Sequence, residues 1–238
     1  MGRHLKPLST PKFWRIARKS RPWVVKPNPG SHKKDESMPL LIILRDILKL
    51  VDTAAEGQKI ISSREVFVDG KYRRSYKYPV GFMDVLQIPK LNKFYRIVSS
   101  KRGLSLNEIS EKEINLKLCR IRNKTLIKKG KLQLNLHDGR NILVERKGKK
   151  DDYSTGDSLL IELPSQKIVE HIKLENGNLG LIIGGQNQGE LIKVKGVVKT
   201  RSREPNKVIC DLKGREFASV KDYVFVVGKA KPMITVNM

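Results

Sequence analysis

The residues of this 238-residue chain that could do chemistry are cations and aromatics rather than nucleophiles and acid–base pairs. Residues 1–34 contain ten Lys and Arg and no carboxylate, and the first acid is Asp35. His4, Phe13, Trp14, Trp23 and His32 lie among those charges. Cations track phosphates, and aromatic faces stack on bases or pack on a docked surface, so interleaving the two predicts an RNA-contacting arm that orders on its partner. A plain disordered tail would share the charge but is poor in aromatics. RNA contact is expected from Arg3, His4, Lys6, Lys12, Trp14, Arg15, Arg18, Lys19, Arg21, His32, Lys33 and Lys34. A second basic cluster (Lys59, Arg64, Lys71, Arg73 and Arg74) surrounds Asp69-Gly70, and a third (Lys199, Arg201, Arg203 and Lys207) lies in one polar loop. Both are expected to neutralise phosphates.

Catalytic constellations are not apparent. His4, His32, His137 and His171 are scattered, with no i,i+4 pair and no cysteine nearby in sequence. Cys119 and Cys210 form no CxxC pair, which argues against a zinc ribbon or a disulfide scaffold and predicts buried thiols in a reducing cytoplasm. Asp151-Asp152 is a carboxylate pair in a lysine-rich loop, where adjacent side chains of an extended chain point apart. No serine nucleophile elbow occurs. Gly184 and Gly189 have the spacing of a phosphate loop, but Glu190-Leu191 replaces the Lys-[Ser/Thr] that would hold phosphate and magnesium. No enzyme activity, cofactor, metal or small-molecule substrate is expected.

The charge balance agrees. Lys and Arg number 49 against 24 Asp and Glu, for a net charge of +25. The first 34 residues carry +10 of this and the remainder +15, so the excess is not confined to a tail. Such self-repulsion points to a polyanionic partner. The longest aliphatic run, Leu40–Leu44, is far short of the roughly 18 residues that span a bilayer, and no small-residue cleavage site follows, so neither membrane span nor signal peptide is expected.

The elements that must position these clusters follow from periodicity. Five of the chain's 11 prolines fall in 1–34, which favours extended backbone. Leu40, Leu44, Ile47, Leu48 and Val51 recur at helical spacing, and a second short helix is expected over Ala54 to Ile61. Asp69-Gly70 marks a tight hairpin, and Phe82 to Ile88 reads as a returning strand. From about 91 to 175 the pattern is all-β, with alternation in Leu132, Leu134 and Leu136 and a short capped turn at Ser110 and Glu113. The last section predicts strands Leu179–Ile183, Leu191–Val198, Val208–Leu212, Glu216–Val220 and Val224–Val227, a spacing that favours a small barrel.

Three resemblances attach to these residues. Leu41 to about Ile88, through Arg45-Asp46-Ile47-Leu48, Ser62 to Lys71 and Tyr78 to Val85, resembles the S-four RNA-binding fold, whose helix face and hairpin form a positive surface for structured RNA. Asn178 to Gly189 resembles a KOW motif, with Gly189 at its characteristic glycine and Glu190 where a basic residue is usual. Across nearly its full length the chain resembles the archaeal/eukaryotic (e) type of the ribosomal protein S-four family. The matching pieces include His4-Leu5-Lys6, Pro11-Lys12, Trp14, His32-Lys33, Gly81 to Val85, Lys117-Leu118-Cys119, His137-Asp138, Thr155-Gly156-Asp157 and Val226 to Lys229. The chain ends soon after Gly228, so an archaeal member is expected.

The resemblance implies a multi-domain α+β chain. Its expected parts are an extended basic N-terminal arm (1–40), an S-four-like α/β RNA-binding domain (41–90), a central β-rich domain (91–175) and a C-terminal KOW-containing SH3-like β-barrel (176–238). It implies a structural protein of the small ribosomal subunit, cytoplasmic, with ribosomal RNA and neighbouring ribosomal proteins as partners and no membrane. Two alternatives stay open at this level: a free RNA-binding regulator or transcription/translation factor with a KOW barrel, and an RNA-modifying enzyme with an S-four appendage.

Overall fold

A computed structural model describes residues 4–145 and 152–236. Arg3 and most of the charged loop at 145–152, Asp151 included, lie outside them. The chain divides into two compact units, Met1–Val98 with Arg102–Asn115 and Ser99–Lys101 with Leu116–Met238. Among the described residues no helix is long and apolar enough to cross a membrane.

In the first unit the arm leads into β1 (Ser37–Pro39), followed by the turn α1 (Leu40–Ile42) and helix α2 (Ala54–Ser62). The periodicity over 40–51 predicts a one-faced helix. Instead α1 passes into a π turn, Ile43–Ile47, and all five residues from Leu40 to Leu44 are buried. A helix covered on every side needs no polar face. α2 begins at Thr53, whose hydroxyl accepts from Glu56 N while the Glu56 carboxylate accepts from Thr53 N, a reciprocal cap that starts the helix where the sequence places it.

β2 (Phe67–Val68) and β3 (Lys71–Tyr72) form the predicted hairpin, with Asp69 and Gly70 at φ 55° and 71°, as a two-residue type I′ turn requires. β4 (Pro79–Gly81) pairs antiparallel with β1. The strand expected over Phe82 to Ile88 is shorter: Met83 turns left-handed (φ 66°) and only β5 (Val85–Ile88) is extended. The break has a cause in Asp84, whose carboxylate accepts from Gly81 N at 2.9 Å and so closes the turn. β6 (Lys93–Ser100) and β7 (Gly103–Glu108), expected in the central β-rich region, extend this same sheet in the order β3-β2-β5-β6-β7. The spatial division therefore falls after Asn115 rather than near 90. The turn at Ser110 forms, but Ser110 makes no side-chain cap, and the Glu113 carboxylate instead accepts from buried Arg96 Nη1 at 2.8 Å.

The second unit contains two antiparallel sheets. β8 (Leu116–Leu126), β9 (Lys131–Leu136), β10 (Asn141–Glu145), β11 (Ser158–Glu162) and β12 (Ile168–Ile172) take the order β10-β9-β8-β11-β12. The alternating Leu132, Leu134 and Leu136 pack with Cys119, Ile121, Leu159 and Ile161 in its core. β13 (Leu179–Ile182), β14 (Leu191–Val198), β15 (Lys207–Leu212), β16 (Arg215–Val220) and β17 (Val224–Gly228) take the order β16-β15-β14-β13-β17, with a 3-10 turn at Lys221–Tyr223 before the last. Ile182, Ile192, Val194, Val208, Cys210 and Val224 form its core. Both cysteines are buried thiols, as their setting among strand residues predicts.

Candidate nucleic-acid interface

The hairpin of β2 and β3 carries the densest arrangement of cations on aromatic faces. Asp69 fixes it from below: buried in the turn, it accepts from Val85 N through Oδ1 at 3.0 Å and so ties the hairpin to β5. Above that anchor Arg64 lies 4.9 Å and Arg74 5.7 Å from the centroid of the Tyr72 ring, and Arg73 lies 4.2 Å from that of Tyr78. These distances are those of cation–π contacts, which hold a guanidinium in place without consuming its hydrogen-bond donors. Gly70, Lys71, Tyr72, Arg73, Arg74, Ser75 and Tyr78 line an open groove that no carboxylate enters. Arg73 Nε is buried there with no hydrogen-bond partner. Burial pushes the Tyr78 phenol above its ordinary value, against the opposing pull of the Ser31 hydrogen bond and Arg73. The groove thus offers fixed cations and N–H and O–H donors, a set that suits a phosphate backbone. Lys59 is exposed on α2, as are Arg64, Lys71 and Arg74 on the hairpin unit.

The arm is more folded than a tail. Leu5 bridges antiparallel to Val24, and the Trp14 indole, 1% exposed, donates from Nε1 to the Ser37 carbonyl at 2.9 Å. Arg18 donates to the carbonyls of Pro7, Thr10 and Pro11 at 3.1–3.3 Å and to the Thr10 hydroxyl, so its guanidinium holds one turn of the arm together. His32 is buried, its Nε2 3.0 Å from Asp84 Oδ1. A Cβ on Gly81 would come 2.4 Å from the imidazole, which is why glycine precedes Phe82-Met83-Asp84.

Three residues expected at the RNA surface are corrected by this geometry. Trp14 and His32 are core residues, because an indole and an imidazole satisfied by internal partners gain more from burial than from exposure. Arg18 is half-buried and turns its terminal nitrogens to the carbonyls of the arm's own turn. His4, Lys6, Lys12, Arg15, Lys19, Arg21, Lys33 and Lys34 are exposed. Trp23, not singled out as a contact, is 51% exposed, the reverse of Trp14. The sequence signal that separates the two tryptophans is weak, since both stand next to cations and prolines.

In the second unit Lys199, Arg201 and Arg203 are exposed in a loop closed by Thr200, whose N–H and hydroxyl bond Asn206 Oδ1 and the Glu204 carbonyl. Lys207 is paired with Glu204 at 2.9 Å, which weakens its claim on a phosphate. Gly189 has φ 88°, and a Cβ there would come 2.7 Å from Ser100 Cα, so both conformation and space require glycine. Glu190 pairs with Lys101 at 2.8 Å. The acid in the glycine loop therefore has a cation of its own. Cys119, His137 and Asp138 bring ligand-type atoms within 4.8 Å of one another. Buried Lys117 and half-buried Arg140, each 3.0 Å from Asp138 Oδ2, already neutralise that carboxylate and make the cluster an ion-pair network. Burial alone would raise the Asp138 carboxyl, but Lys117, His137 and Arg140 outweigh it and hold it at about 2.

Comparison with known proteins shows what the chain is similar to. The RS4NT (NUC023) domain matches residues 1–35, the S4 domain residues 38–86 and the Ribosomal family S4e residues 91–168. The small ribosomal subunit protein eS4 of Methanothermobacter thermautotrophicus is 47% identical over 235 residues, covering 98% of this chain and 95% of that protein. The eS4 of Archaeoglobus fulgidus is 46% identical over 238 residues, covering 99% and 98%. The crystal structure of 30S ribosomal protein S4e from Thermoplasma acidophilum superposes with a TM-score of 0.70 at 32% identity, covering 83% of this chain and 97% of that one. With near-full-length identity of this order, the chain belongs to the ribosomal protein family S4e.

Proposed function

We propose that this chain is a structural, non-enzymatic constituent of the small ribosomal subunit that binds ribosomal RNA and so supports translation in the cytoplasm. Among the chain's own features, the groove of the β2–β3 hairpin carries this reading, because the guanidinium groups of Arg64, Arg73 and Arg74 rest on tyrosine faces and its lining includes no carboxylate. RNA contact is assigned to Lys59, Arg64, Lys71, Arg73 and Arg74 around the groove, to the exposed arm cations from Lys6 to Lys34 with His4, and to Lys199, Arg201 and Arg203, with Lys207 secondary. Residues 1–40, 41–90, 91–175 and 176–238 act as four functional segments, even though the β-strands of the second and third share a sheet. The order β16-β15-β14-β13-β17 and the glycine turn at Gly189 support a KOW-type, SH3-like barrel for the last. Several weak contact surfaces on one chain bind as a multivalent unit, since each event raises the effective concentration for the next. Neighbouring ribosomal proteins complete the partner set.

Sedimentation of native lysate at moderate salt tests the reading. The chain is expected in the small-subunit fraction at one copy per subunit. Recovery mainly as free protein, or in substoichiometric exchange, would replace it with an RNA-binding regulator.

A further inference from the structure

The arm contains one large aromatic that the fold leaves uncovered. The bridge between Leu5 and Val24, with Val24 N donating to the Leu5 carbonyl at 2.9 Å, fixes the relative placement of two short extended runs. Side chains alternate along such runs. Leu5 is buried, and its neighbours His4 and Lys6 are exposed. Trp23, adjacent to Val24, is on the same exposed side: the His4 ring centroid is 4.9 Å from that of Trp23 at an interplanar angle of 42°, and Lys6 Nζ is 5.7 Å from the indole centroid. Arg21, two residues away, is exposed as well. The indole is thus held at one side by an imidazole and an ammonium, while half of its surface faces water.

We propose that Trp23, positioned by His4 and Lys6, is a stacking platform for an unpaired RNA base, an inference that rests on the RNA-binding reading above. An exposed indole offers a flat apolar face with a polar N–H edge, the kind of side chain enriched at interfaces. A nucleobase fits this site better than an apolar protein surface, because residues 4–34 present cations without a single carboxylate and the phosphates flanking the base would neutralise Lys6 and Arg21. The base must be unpaired, since in a duplex both faces are already occupied by neighbours. The platform differs from the hairpin groove in what it reads: the groove takes phosphates whatever their strand state, whereas the indole selects single-stranded positions. Stacking of one base is worth roughly a five- to hundred-fold change in affinity.

The two tryptophans make the test direct. Trp14 is sealed and Trp23 exposed, so acrylamide-accessible emission of the full chain reports Trp23, and the residual emission of a Trp23→Ala variant reports whether the fold is intact. The protein is titrated at low salt with a short single-stranded oligoadenylate and with duplex RNA of the same length, and binding is followed separately by anisotropy of the labelled RNA. Oligoadenylate is expected to quench the Trp23 emission and protect it from acrylamide, while duplex binds without doing so. Trp23→Ala is expected to weaken oligoadenylate five- to hundred-fold with duplex affinity within twofold of wild type, and Trp23→Phe to retain most of the binding. Oligoadenylate bound with unaltered Trp23 emission, or with equal affinity to Trp23→Ala, overturns the platform and leaves RNA binding standing. Loss of the variant from small subunits with unaltered oligonucleotide affinity overturns it in favour of a protein neighbour. Absence of binding to either RNA removes both readings together.

Discussion

Replacing Arg64, Lys71 and Arg74 together with glutamine takes three cations from the rim of the hairpin groove while leaving Arg73 and Tyr78 in its lining and the buried Asp69 anchor of the turn in place. All three side chains are exposed, and the cation–π contacts of Arg64 and Arg74 with Tyr72 are each worth at most about 1 kcal/mol at such sites, so the variant should fold. Each phosphate neutralised on a duplex contributes about 0.9 to the slope of log affinity against log salt, so losing three contacts should flatten that slope by roughly 2 to 3. Between 50 and 200 mM salt the wild-type affinity for a structured small-subunit RNA fragment should therefore fall about 40-fold further than that of the variant. Fluorescence anisotropy over four or five salt concentrations measures both slopes. Lys195→Gln is the control, because Lys195 is engaged by Asp211 and Glu216 and its loss should leave the slope unchanged. Equal slopes for the triple variant and wild type would refute the groove as a phosphate site, whatever the change in absolute affinity.

Two further outcomes follow from the second unit. Asp138 is held at about 2, below its ordinary 3.8, so the stabilisation from its ion pairs should be complete above about pH 4 and drain away as pH falls toward 2, amounting to about 2 kcal/mol in urea unfolding. Asp138→Asn should abolish that acid-limb dependence and, by leaving Lys117 buried without its carboxylate, cost about 3–5 kcal/mol at neutral pH; retention of the acid limb would sink the assignment. Burial pushes the Cys210 thiol up to about 11, so iodoacetamide at pH 8 should modify it only when the chain unfolds, and rapid labelling of the native protein would contradict its place in the core.

The folded arm alters how the multivalent picture works. An arm that ordered only on RNA would lose binding energy to chain entropy at each encounter. Here Trp14, His32 and Arg18 hold much of the path before any partner arrives, and the exposed cations between them are carried on a shaped backbone. Part of the ordering cost is thereby met within the chain, so a contact made by the arm would lose less of its energy to ordering.

Much of the architecture was legible because it rests on local signals. Asp69-Gly70 demands a tight turn, Thr53 and Glu56 start a helix, and the alternation of Leu132, Leu134 and Leu136 sets the inward face of a strand. The strands of 179–228 fall within a residue of their expected bounds for the same reason, since glycine turns and period-2 patterns act over a few neighbours. Charge also reads directly, so the basic clusters and the polyanionic partner they imply needed no structure.

Tertiary structure decided which members of those clusters face out. Trp14 and Trp23 have similar neighbours in sequence, yet one is sealed over Ser37 and the other half exposed, because the contacts that distinguish them come from residues far along the chain. His32 is claimed by Asp84, 52 positions away, and Arg96 by Glu113. Leu40–Leu44 is buried all round only through tertiary packing, in part against α2, where Leu41 faces Gly57, and β6 and β7 join the hairpin's sheet through pairing that no short window encodes. Local signals in the chain set most of the elements, their order and the sign of the partner's charge. Long-range contacts set which cations and which tryptophan are exposed.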